Sequence, residues 1–286
     1  MQDQLLALPD GRQLAYTDVG AVDGPVVVYF HGAPSSRLDL HATGLAEQLG
    51  ALGIRALSPD RPGYGLSSPQ PGRTMKQWPT DVAVLADHLG IEHFAVIGAS
   101  SGGPYAVATA AILGRRIVGC GVVAGVTDMG WEPAWSGYLE HEAAVMRQPD
   151  EDTAIAFCEE RYGRDGVGLL TDETPEFAPA DLEMFEDEAM AAGFFATSSE
   201  AIRQGVAGVA QDMWLQGQPW QFDPASCSAR CIVLHGEADT VVPFAHARHT
   251  TAVLPGAELI AYPTHGHLSI MTEIPQLAAT LLGSIR

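Results

Sequence analysis

Residues 93–104 read HFAVIGASSGGP: an apolar run halts at two serines set among glycines. A loose turn would account for this composition. So would a turn so tight that only small neighbours fit, one that holds a single hydroxyl in the open. Gly98-Ala99-Ser100-Ser101-Gly102 matches G-x-S-x-G, follows an apolar run and precedes PYAVATAAIL, a helical pattern. A nucleophile in a strained strand-to-helix turn requires that context, with small residues two before and two after it. The helix that starts there aims its free amides at the serine, where an oxyanion would form. The doublet leaves a second register open, Ala99-x-Ser101-x-Gly103, with small flanks of its own.

Outward from this turn, the chain alternates. Apolar runs at 25–32, 53–60, 93–99, 116–125, 230–236 and 257–263 read as parallel strands buried on both faces. Helical patterns lie between them; the clearest sets Met75, Trp78, Val82, Leu85 and Leu89 on one stripe, and Leu38, Leu45 and Leu49 suggest another helix after the third strand. Two leading runs, 4–8 and 12–19, form a hairpin pattern around Pro9-Asp10-Gly11. The expected fold is α/β, a mostly parallel sheet flanked by helices. From about 128 to 225 the alternation stops and Ala-, Glu-, Trp- and Met-rich helical patches take over, an insertion between two strands. No repeat or low-complexity tract interrupts the pattern.

Composition limits the partners. The net charge of −20 opposes nucleic acid and anionic membranes, and no run of apolar residues reaches the roughly 18 of a membrane span. Residues 128–223 hold 21 acidic and 4 basic residues, a net of −17 that leaves only −3 for the rest of the chain. The N-terminus lacks a basic segment followed by an apolar stretch, so a cytoplasmic protein is expected. Cys120, Cys158, Cys227 and Cys231 lack zinc-ligand spacing and read as free thiols; neither metal nor cofactor is expected.

Three further stretches accompany the serine turn. His31-Gly32-Ala33-Pro34 ends the third strand, LHGEADTVVP places Asp239 after a late strand, and YPTHGHLSIM places His265 and His267 after the last. The order Ser, Asp, His is that of one hydrolase class and differs from the two major protease orders. Asp128, after the run at 116–125, is an alternative acid.

These stretches, with DRPGYGLSSP at 60–69, resemble the α/β-hydrolase superfamily over nearly the whole chain. The resemblance implies an eight-stranded α/β-hydrolase core at 1–127 and 226–286 with a helical cap at 128–225. It implies Ser100 as nucleophile, Asp239 as acid, His267 as base, and the amides of Ala33 and Ser101 as oxyanion hole. The Gly-Gly-Pro-Tyr continuation favours Ser100 over Ser101, and the glycine directly before it favours His267 over His265. A serine nucleophile points away from the aspartate-using epoxide hydrolases and dehalogenases. It points to an esterase for a small or medium, uncharged and apolar carboxylic ester or lactone. Carbon–carbon bond hydrolases, lyase- or cyclase-like relatives, and non-catalytic small-molecule receptors are the alternatives. Trp131, Trp135 and Trp214 are expected to bind substrate, with Phe194, Phe195 and Met213 as further candidates for the pocket wall. The expected partner is a small-molecule substrate, and the expected state a monomer or homodimer.

Overall fold

The computed structural model describes residues 3–171 and 176–283; positions 172–175 of the expected cap lie outside them. The apolar runs become strands, and the leading hairpin supplies two more: β1 (Gln4–Ala7), β2 (Gln13–Gly20), β3 (Val26–Phe30), β4 (Arg55–Pro59), β5 (Phe94–Ala99), β6 (Ile117–Val123), β7 (Arg230–Gly236) and β8 (Glu258–Tyr262). They form one eight-stranded sheet in the order β1-β2-β4-β3-β5-β6-β7-β8. The β1/β2 and β2/β4 pairs are antiparallel and the other five pairings parallel.

Successive residues of the central strands enter different cores. Val26, Val28, Phe30, Phe94 and Val96 pack on one face with Trp78, Leu85 and Tyr105. Val27, Tyr29, Ala95, Ile97 and Ala99 pack on the other with Leu49, Leu277 and Leu281. A strand with two apolar faces has no polar alternation to show, which is why these runs read as continuous. Each large side chain removed from water in this way contributes about 1.5–3 kcal/mol.

Helices α1 (Asp39–Ala42), α2 (Leu45–Ala51), α3 (Trp78–His88) and α4 (Gly103–Leu113) connect the first strands. The helix expected around Leu38, Leu45 and Leu49 is therefore two short ones, parted where Gly44 turns left-handed at φ +71°. A single turn, Met75–Gln77, leads into α3; there the Thr74 N–H donates to Gln77 Oε1 at 2.7 Å and starts the helix. Between β6 and β7 the chain forms α5 (Glu140–Met146), α6 (Glu151–Tyr162), α7 (Pro179–Met184), α8 (Glu188–Ala201) and α9 (Ala207–Gln216). This helical segment packs in apolar clusters that it shares with loops of the core, such as Val145, Cys158, Ile202 and Val209 around Tyr64. Helices α10 (Ala245–Val253) and α11 (Ile274–Leu282) complete the core. Among the described residues no helix is long and apolar enough to cross a membrane. The four cysteines are buried free thiols.

Candidate active site

Parallel pairing places the C-terminal ends of β3, β5, β6, β7 and β8 side by side, so the turns that leave them meet along one edge. β5 delivers Ser100, which occupies left-handed backbone space at φ +52°. A non-glycine residue pays about 1–3 kcal/mol for such a conformation, and the surroundings enforce it. Gly98 and Gly102 make the turn possible: a Cβ on Gly98 would stand 2.1 Å from the Gly102 carbonyl oxygen, and one on Gly102 would stand 2.1 Å from that of Phe30. Ser101, the alternative, is buried in the turn that leads into α4.

β8 and β7 bring the next two groups. The Ser100 hydroxyl lies 3.0 Å from His267 Nε2, and His267 Nδ1 lies 2.9 Å from Asp239 Oδ2. With Nδ1–H donating to the carboxylate, Nε2 is left to accept from the serine. Asp239 Oδ1 also accepts the amides of Val241 and Val242 at 2.8 and 2.9 Å. Burial pushes the Asp239 carboxyl up, but the charge of His267 and bonds from His235 and His267 outweigh it and hold the group well below the carboxylate range. Burial likewise pulls His267 down, and Asp239, with smaller effects from Glu142 and Asp181, more than reverses this, so the imidazole titrates above its ordinary value.

The other candidates of the same turns have different partners. His265 Nε2 is 3.9 Å from Glu273 and its ring packs edge-on to Tyr262. Asp128 Oδ1 accepts the amides of Gly130 and Trp220 at 2.9 and 3.0 Å, closing its own turn.

The 31–34 turn lies against the serine, since a Cβ on Gly32 would stand 3.3 Å from Ser100 Cβ. Ala33 of this turn lines the same cavity as Ser100, and Ser101 follows the serine in the turn that leads into α4. Arg61, fully buried, donates to the carbonyls of His31 and Gly32 and pairs with Asp212 of α9. His31 is held neutral, its pKa pushed well down by burial and then by the Arg61 charge. From α8, Thr197 Oγ1 accepts the Ser36 amide at 3.0 Å and Ser198 donates to the Pro34 carbonyl at 2.9 Å.

Ser100 and His267 open into a cavity of about 410 Å³ between these turns and the helical segment. Its wall is mostly apolar: Leu139, Leu169, Leu170, Phe177, Phe185, Phe194, Phe195 and Met213 come from the segment. Trp131, Trp135 and Trp214 are not part of it, which corrects the expectation that they bind substrate. Trp131 stacks on His249 with ring centres 4.2 Å apart. The indole N–H groups of Trp135 and Trp214 reach the carbonyls of Met129 and Gln148, both at 3.0 Å. Both indoles are half-buried, and each N–H finds its partner within the segment itself. The cavity also holds two carboxyls that sequence patterns did not single out. Asp39 accepts from the Tyr29 hydroxyl at 2.6 Å and is pushed up to about 6 by burial. Glu142 accepts from Tyr138 at 2.6 Å. Sequence patterns also missed His235, whose Nε2 lies 2.9 Å from the Val242 carbonyl and 3.1 Å from Asp239. Among the described residues no group of three or more His, Cys, Asp or Glu is disposed to hold a metal ion.

Residues 27–280 match the model of the alpha/beta hydrolase family. The chain belongs to this family. This hydrolase is 26% identical to a bifunctional esterase/perhydrolase of Acinetobacter calcoaceticus over 97% of each chain. It is 28% identical to a non-heme chloroperoxidase of Streptomyces lividans over 94% of this chain and 96% of that one. Its fold is similar to a thermophilic esterase from Thermogutta terrifontis, with a TM-score of 0.73 at 22% identity, covering 100% of this chain and 98% of the other.

Proposed function

We propose that this hydrolase cleaves a small or medium, uncharged and largely apolar carboxylic ester or lactone through an acyl-enzyme on Ser100. One observation carries the reading: the hydrogen-bonded chain Ser100–His267–Asp239 opens into an apolar cavity. The esterase name of the Acinetobacter relative supports it. In this mechanism Ser100 Oγ bonds to the carbonyl carbon while its proton passes to His267 Nε2. Asp239 holds the imidazole tautomer and stabilises the imidazolium. The negative oxygen of the tetrahedral intermediate takes the Ala33 and Ser101 amides, each worth about 3 kcal/mol. The proton on His267 then goes to the departing alkoxide. Water attacks the acyl group, giving its proton to His267, and the acid leaves as Ser100 recovers its proton. The helical segment serves as a cap that keeps bulk water from the cavity.

The test is an ester, lactone, amide and vinylogous diketone panel with product analysis, run with fluorophosphonate labelling. Ser100→Ala is expected to lose both turnover and labelling, by a factor on the order of 10⁴ to 10⁶ in kcat. Ser101→Ala, which keeps its amide, should weaken activity only modestly. If Ser101→Ala is the dead variant, the register is wrong; if only the diketones react, the bond class is wrong.

A further inference from the structure

His267 lies in a turn without regular structure between β8 and the single turn Ser269–Glu273, so its backbone amides have no ladder to enter. They are taken up by one side chain from the helical segment. Asp181 of α7 is fully buried; its Oδ2 accepts the His267 amide at 2.8 Å, and its Oδ1 accepts the amides of Leu268 and Ser269 at 3.1 and 2.8 Å. The Ser269 hydroxyl also donates to Oδ1 at 2.7 Å and accepts from the Gly266 amide at 2.8 Å, tying the turn on both sides of the histidine. A Cβ on Gly266 would stand 2.3 Å from Asp181 Oδ2, so the glycine before His267 admits the carboxylate.

We propose that Asp181 is a positioning residue for His267: it fixes the turn carrying the imidazole, so that the base stands over Ser100 only while α7 is docked. Four donors converge on a carboxylate taken from water, and removing the carboxylate leaves three amides to find other partners by shifting the turn. A misplacement of about 1 Å at a reacting group costs on the order of 100-fold in rate. The negative charge of Asp181 also favours the protonated imidazole. The other groups facing His267 are Asp239 on the turn after β7, with His235 behind it, and Glu142 on α5; His265 stands two residues away on the same turn.

This inference rests on the Ser100–His267 reading above. In Asp181→Asn one acceptor becomes an amide that confronts a backbone N–H. The expected result is a kcat lower by about 10- to 100-fold, KM within about twofold of wild type, and fluorophosphonate labelling slowed by the same factor as kcat. The acid limb of kcat/KM should move to lower pH, because a charge favouring the protonated base is gone. Asp187→Ala is the comparison: Asp187 caps α8 through the Ala189 and Met190 amides and is exposed, so its loss should lower Tm and leave kcat unchanged. Equal kcat losses in the two variants, or an Asp181→Asn enzyme with full kcat and an unmoved acid limb, would overturn the proposal. Should Asp181→Asn fail to fold, Ser269→Ala decides: a several-fold kcat loss with unchanged KM upholds the inference, and full kcat overturns it. Turnover surviving Ser100→Ala would instead sink the underlying reading.

Discussion

Two histidines one glycine apart meet different chemistry, and the difference sets a pH dependence. His267 Nε2 faces the Ser100 hydroxyl at 3.0 Å, whereas His265 lies beside Glu273 and Tyr262. His267→Ala is expected to cost several orders of magnitude in kcat and His265→Ala less than about tenfold, since one imidazole alone reaches the serine. To act as the proposed base His267 must be neutral, and its pKa is raised, despite burial, chiefly by Asp239. The acid limb of kcat/KM therefore belongs above the ordinary histidine value of about 6.5, with activity falling as pH falls through it. Stability has the opposite sign. A histidine whose folded pKa is raised contributes stability fully below its unfolded value and loses it as pH rises through the folded one. The pH that frees the base thus removes part of what its charged form adds to the fold. A pH–rate profile with its acid limb below 6 would contradict the assignment.

At the scale of elements, α9 is fastened to the core by a buried charge cluster. Asp212 pairs with Arg61 at 3.0 Å and with Arg73, and the Tyr64 and Tyr105 hydroxyls donate to it. Burial raises the Asp212 carboxyl, but the two guanidiniums outweigh it and hold the group at about 2. Asp212→Ala would leave two buried cations without their counter-charge, an expected loss of about 3–5 kcal/mol in urea unfolding. A loss under about 1 kcal/mol would show that water or neighbouring groups take its place. The same elements show what the sequence made legible. The strands and the serine turn are dictated locally: apolar runs fill two cores, and Gly98 and Gly102 stand where no Cβ fits. The helical segment is not dictated locally. Its helical pattern breaks between α7 and α8 where Asp187 caps the second helix, and which aromatics face the cavity depends on how the helices pack. Nothing local marks Asp181 and Asp212 within an acidic stretch, because the groups they meet lie far away in sequence, 86 residues on for His267 and 151 back for Arg61.

For the molecule as a whole, the question is where the acidity of residues 128–223, net −17, is felt. Folding takes part of it inward. Asp212 is matched by Arg61 and Arg73, and Glu200 by Arg37, all three arginines standing outside the segment. What remains includes the exposed Glu183, Glu186 and Glu188 on either side of Phe185, a residue of the cavity wall. Inside, Asp39 and Glu142 line the cavity, and no lysine or arginine is among its described lining residues. Negative charge beside Phe185 and on the wall would oppose a carboxylate-bearing substrate and leave a neutral one indifferent. Salt separates the two, because the screening length contracts from about 30 Å at 0.01 M to about 8 Å at 0.15 M. Over that range kcat/KM for an ester carrying a distal carboxylate is expected to rise several-fold, while a neutral ester of equal size stays flat. The rise should be only partial, since the carboxyls inside the cavity are screened less than those on the surface. Parallel salt profiles for the two esters would mean that the exposed acids project no field into the cavity and serve solubility alone.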